Sequence, residues 1–175
     1  MNTLIVSYSY TGNNETIAKG LAHRIGADHI AIAEQSKRSL FTIVLDIVFN
    51  RTPKINDISQ SLNKYDNFLF IAPVWLGKVA TPLRNCFKTL KNKIDNYSFV
   101  SFSASGNNSK LGEELFDLIG KEPKVVLNPL IIDLFPANSK PSHKDLNSYR
   151  LGDNIANKII ENVEMELKKV NFLNV

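Results

Sequence analysis

Apolar and polar positions along the chain follow two rhythms that take turns. Residues 4–8 (LIVSY) form a short apolar run that ends in Ser, Thr and Gly. That is the pattern of a strand buried on both faces of a parallel sheet. From Glu15 the period lengthens: Ile17, Ala18, Leu21, Ala22 and Ile25 fall on one helical face, and Gly26 stops it. Residues 29–33 (HIAIA), 68–74 (FLFIAPV), 99–103 (FVSFS) and 125–132 (VVLNPLII) read as four further strands. Pro129 cannot donate to a ladder, so the fifth strand belongs at an edge or carries a bulge. Thr81-Pro82 starts a helix with Leu83, Phe87 and Leu90 inward, and a second runs through Leu111, Leu115, Leu118 and Ile119 to Gly120. A Pro/Ser-rich loop over 136–142 leads to a last helix, with Ile155, Ile159, Val163, Leu167 and Val170 on one face. Strands alternating with helices imply right-handed crossovers and one α/β domain over residues 1–175, a parallel sheet with helices on both faces.

The interval from Glu34 to Asp66 is longer than a plain crossover needs. Within it, Leu40 to Phe49 (LFTIVLDIVF) is an apolar stretch of helix length interrupted only by Thr42 and Asp46. It reads either as a buried crossover helix or as a partly exposed surface. The second reading makes it a homodimer contact, a lid over a ligand or a membrane-surface patch.

Composition narrows the classes. With 43% apolar and 22% charged residues, the chain is an ordinary globular sequence. Its single cysteine, Cys86, excludes an internal disulfide and suits a reducing compartment. No stretch has the length of a membrane span. A cleavable secretion signal would remove the first core strand, so a cytoplasmic location is expected. The net charge of +4 raises nucleic acid as a partner. The lysines are scattered, however, and no aromatic residues interleave with them as a base-stacking platform requires, so no nucleic acid is expected. His23, His29 and His143 lack ligand partners at metal spacing, and no metal site is expected.

In an open parallel sheet, ligands bind beyond the carboxyl ends of the strands, where strand order reverses. After the first strand comes Ser9-Tyr10-Thr11-Gly12-Asn13-Asn14, directly before a helix. Gly12 permits a tight turn, the hydroxyls and amides are neutral donors, and the helix start offers unpaired N–H groups. No Gly-Lys-Ser/Thr follows and no G-x-G-x-x-G is present, which excludes the triphosphate and dinucleotide loops. A monophosphate held by neutral donors is what remains, beside the plainer reading of a Ser/Asn turn that caps a helix.

These residues resemble a family, the flavodoxins and flavodoxin-like FMN proteins. Their phosphate loop reads Thr-x-Thr-Gly-Asn-Thr-Glu-x-x-Ala. Residues Ser9 to Ala18 match it, with Ser9 for the first Thr and Asn14 for the last. The loop Pro73-Val74-Trp75-Leu76-Gly77-Lys78 is similar to the family loop that flanks the isoalloxazine ring. Trp75 can stack on a flavin, and Gly77 allows the close backbone approach that a hydrogen bond to flavin N5 requires. Trp75 half-buried between loop and helix is the alternative. Ser103-Ala104-Ser105-Gly106-Asn107, continuing to Asn108, is similar to the family's third loop, where backbone amides meet the pyrimidine edge. The resemblance implies a three-layer α/β/α flavodoxin-like fold with a five-stranded parallel sheet in order 2-1-3-4-5.

It also implies FMN as cofactor and electron transfer as function, with a redox partner protein or NAD(P)H as counterpart and no catalytic acid or base. Carriers of this family that work at low potential are typically acidic, whereas this chain is basic. Positive potential favours the reduced flavin, which points to a flavin reductase-like or relay role. Two alternatives stand beside it. One is an NAD(P)H-dependent FMN quinone or azo reductase, usually a dimer; the other is a cofactor-free module that binds a partner through Leu40 to Phe49. Cys86 reads as a small core residue, and Asp133 as either a site residue or a turn cap.

Overall fold

The computed structural model describes residues 2–34, 39–49, 51–55, 58, 62–104 and 108–173. Among the described residues, seven strands are present in chain order: β1 (Thr3–Ser7), β2 (Asp28–Ala31), β3 (Asn67–Ile71), β4 (Val74–Trp75), β5 (Lys78–Val79), β6 (Asn96–Val100) and β7 (Val126–Leu127). Five of them form one parallel sheet in the order β2-β1-β3-β6-β7; β4 and β5 pair with each other as a separate antiparallel hairpin. Counted within the main sheet alone, this is the expected 2-1-3-4-5. The α-helices among the described residues are α1 (Asn13–Ile25), α2 (Leu40–Val48), α3 (Arg84–Leu90), α4 (Leu111–Ile119), α5 (His143–Ser148) and α6 (Asp153–Lys169).

The continuous apolar runs work because each strand presents side chains to two cores. Leu4, Val6, Phe68, Phe70 and Phe99 pack with Leu83, Phe87 and Leu90 of the α3 region and with Leu115 and Ile119 of α4. Ile5, Leu69, Ile71 and Val100 face the other way, onto Ile17, Ala18 and Leu21 of α1 and Ile159, Ile160, Val163 and Leu167 of α6. Phe70 centres the first core, edge-on to Phe87 with ring centroids 4.9 Å apart and to Tyr97 at 6.2 Å. Each such buried aromatic contributes about 1.5–3 kcal/mol by leaving water. Cys86 is fully buried in this core, and burial pushes its thiol up to about 12, so it is a packing residue as expected.

Several expected bounds change, each for a backbone reason. The fifth strand was expected over 125–132, but ordered pairing covers only Val126–Leu127 before Asn128-Pro129 interrupts it. The ladder resumes as one bridge between Ser103 and Leu130, and residues Ile131–Leu134 wind into a 3-10 turn. The strand expected over 68–74 ends at Ile71, because Pro73 has no N–H and the chain leaves the sheet for the β4–β5 hairpin. Thr81–Leu83 is a 3-10 turn that leads into α3. The Pro/Ser-rich loop does not run straight into the last helix. Ser142 and Asp145 form a capping box that starts the short α5.

Candidate functional site

Backbone order at the carboxyl edge begins with Gly12, which adopts φ 93 as the residue before α1. That left-handed conformation favours glycine and turns the chain from β1 into the helix. The turn is then tied down from two sides. Asn14 Nδ2 donates to the Phe102 carbonyl at 2.9 Å while its Oδ1 accepts the Phe102 N–H at 3.0 Å. Asn13 does the same to the segment between α5 and α6, donating to the Tyr149 carbonyl and accepting the Leu151 N–H, both at 3.0 Å. Both asparagines are buried at 2% exposure. Their side-chain amides were expected to face a ligand; they serve the protein instead, because a buried amide flanked by unpaired backbone groups satisfies both at once. Ser9 differs. Its Oγ is buried with no hydrogen-bond partner among the described residues.

Opposite this turn stands the β4–β5 hairpin. Its central residues, Leu76 and Gly77, have φ 49 and 75. Positive φ at both positions is the signature of the tightest hairpin turn, which suits Gly77 and strains Leu76. Trp75 is half-buried, edge-on to Tyr8 at 5.7 Å and to Tyr10 at 6.3 Å. Two ties hold the hairpin. The Val74 N–H donates to Ser103 Oγ at 2.8 Å, and the Val79 N–H donates to Glu114 Oε2 at 2.8 Å. Ser103 Oγ also shares a hydrogen bond with Ser101 Oγ, and the Ser103 carbonyl accepts the Ile131 N–H. It therefore acts as a tie rather than as a free donor. Burial raises the Glu114 carboxyl above the usual range, opposed by the Val79 N–H and by Lys78, whose Nζ is 4.0 Å away.

Between turn and hairpin opens a cavity of about 540 Å³, within the ordinary range for small-ligand sites. Of the expected site residues, Tyr10, Thr11, Asn14, Pro73, Val74, Trp75, Leu76, Gly77, Ser103 and Ala104 line it. Ser9, Gly12 and Asn13 lie in the adjoining turn, and Lys78 is on the outer side of the hairpin. Ser105, Gly106 and Asn107 lie outside the described residues. Asp133 is exposed and does not line the cavity.

Other lining residues come from elements that the motifs did not reach: Ile43, Val44 and Ile47 of α2, and His143, Leu146 and Asn147 of α5. For α2 the signal was its nearly unbroken apolar run. For α5 the signal was Ser142 with Asp145 three residues on. The described lining contains no Asp, Glu, Lys or Arg. It suits a neutral, largely apolar ring with its polar end on uncharged donors.

No protein-family model matches the chain, and no curated protein matches it in sequence. Solved structures do. A flavoprotein from Lactobacillus acidophilus NCFM, determined in complex with FMN, superposes with a TM-score of 0.62 at 23% identity, covering 73% of this chain and 92% of that one. A candidate flavoprotein from Bacteroides eggerthii DSM 20697 gives 0.64 at 13% identity over 93% and 98%. A cysteine-to-alanine mutant of flavodoxin from Pseudomonas aeruginosa gives 0.50 at 14% identity over the whole of both chains. The chain has the flavodoxin-like fold that its sequence led one to expect.

Proposed function

We propose that the carboxyl-edge cavity binds FMN and that the chain transfers electrons through it. The observation that carries the reading is Ser9 Oγ, a buried hydroxyl left without a partner among the described residues, in the turn that leads into α1. A phosphate there gains neutral donors and the positive end of a 13-residue helix. Tyr10, Trp75 and the apolar face of α2 offer the walls that a ring needs. The Lactobacillus protein, alike in fold, was solved in complex with FMN. When bound, the flavin supplies the redox chemistry. The chain's own residues fix its phosphate at the α1 turn and exclude water with Trp75, Ile43 and Ile47. They also hold the hairpin backbone near the ring through Glu114 and Ser103.

The test is the absorption spectrum of freshly purified protein, followed by titration with FMN and with riboflavin. The expected result is visible flavin bands and a strong preference for FMN over riboflavin. Ser9→Ala should weaken FMN about tenfold and leave riboflavin nearly unchanged. Colourless protein that ignores added FMN would overturn the proposal.

One observation favours a reductase that works as a homodimer. Val44, Val48 and Phe49, on and just after α2, are 43%, 67% and 60% exposed, an apolar face beside the cavity. Rapid bleaching of the flavin by NAD(P)H, with light scattering at twice the chain mass, would support that version. A monomer unreactive to NAD(P)H would leave the carrier.

A further inference from the structure

Beside the main cavity, and sharing Leu76, Gly77 and Asn108 with it, lies a second hollow of about 280 Å³ closed by Lys78, Ser109 and Lys110. The two lysines stand out because the described lining of the main cavity has no charged side chain at all. Lys78 is only loosely paired, 4.0 Å from Glu114, whose other oxygen is already engaged by the Val79 N–H. Lys110 has no ion pair among the described residues, and it is the residue from which α4 starts. Asn108, shared by the two hollows, has a buried Nδ2 with no partner among the described residues. Opposing these, Glu113 in the first turn of α4 is exposed, and Glu114 is turned toward the hairpin.

We infer that this hollow is an anion subsite that takes the phosphoryl group of a small organic reactant docked against the main cavity. Lysine ammoniums act as point charges that bind phosphate. The shared walls make the two ligands neighbours. The subsite rests on the flavin reading for what the reactant does, but not for its binding of anions.

Calorimetry with inorganic pyrophosphate, on flavin-free and on FMN-saturated protein, tests it. Lys110→Gln should weaken pyrophosphate several-fold in both forms while the FMN affinity stays unchanged. Lys78→Gln with Lys110→Gln should weaken it about tenfold, and rising salt should do the same to the natural chain. Circular dichroism checks that both variants fold. If NADP⁺ follows the same pattern, the phosphate source is a dinucleotide; pyrophosphate binding without NADP⁺ binding points to free phosphate. Undetectable pyrophosphate binding, binding indifferent to both lysines, or binding that FMN abolishes would overturn the inference. Lysine-dependent binding in a protein that takes no FMN would keep the subsite and remove the flavin.

Discussion

Two hollows of similar size sit at opposite edges of the same sheet, about 470 Å³ at the amino edge and about 540 Å³ at the carboxyl edge. At the amino edge the charged groups are partnered. Arg24 reaches Glu164 and Glu161, Lys168 holds Glu164 at 2.7 Å, and the Tyr65 hydroxyl donates to Asp28 at 2.8 Å. The Lys168 and Arg24 hydrogen bonds keep the Glu164 carboxyl below its usual range. At the carboxyl edge charges are absent from the described lining, yet Ser9 Oγ and Asn108 Nδ2 are buried without partners among the described residues. Volume does not separate a binding site from a surface dent. The lining does: ion pairs fill the amino edge, whereas the carboxyl edge offers apolar walls and uncharged polar groups; buried side-chain atoms without a partner occur near both, Asn67 Oδ1 among them at the amino edge.

The contrast can be pressed hardest at Asn14. Asn14→Ala strips partners from both the N–H and the carbonyl of Phe102, and should lower stability by about 2–4 kcal/mol in urea unfolding. It should also loosen FMN, since the turn and the third loop lose their joint. Gly12→Ala comes next. A Cβ there meets nothing within 4 Å, so its cost of about 1–2 kcal/mol would be conformational, from φ 93, and would show as a lower unfolding midpoint.

Glu114 gives a pH test of the hairpin. Its folded carboxyl is raised, so the folded state holds the proton more tightly than the unfolded chain. The associated stability is full below the ordinary carboxylate value and is lost as pH rises through the raised one. Glu114→Gln keeps an acceptor for the Val79 N–H and should be more stable than the natural chain at neutral pH. Urea midpoints should show that gain fading toward pH 4. Leu76→Asn, at φ 49, should stabilise by about 0.5–1 kcal/mol, since Asn-Gly suits such a turn. Smallest of all, Arg24→Ala at the amino edge should leave both the FMN affinity and the unfolding midpoint unchanged. A marked loss of FMN in that variant would erase the distinction between the two edges.

Much of the fold was legible because it follows from local rules. The runs 4–8 and 68–74 read as doubly buried strands, the second ending early at Ile71; the 3.6-residue periods gave α1, α4 and α6, and Pro129 marked the disrupted edge. The motif loops after β1, β3 and β6 were legible too, because glycines and short polar side chains cluster where strands end at the switch of strand order. The β4–β5 hairpin was hidden inside an apolar run, since two-residue strands carry no periodicity. The short helix α5 was hidden by the prolines before it.

By itself the sequence determined the main strands and helices, which of their faces are buried, and that a lysine-free glycine turn precedes the first helix, since each depends on neighbours within a few residues. Only the tertiary structure decided how the polar side chains are used. Asn13 and Asn14 went to protein carbonyls and N–H groups 88 to 138 residues away, and Glu114 went to the hairpin, while Ser9 was left without a partner among the described residues. A hydrogen bond needs its partner within about 3 Å, and no local pattern records which distant group the fold will bring there.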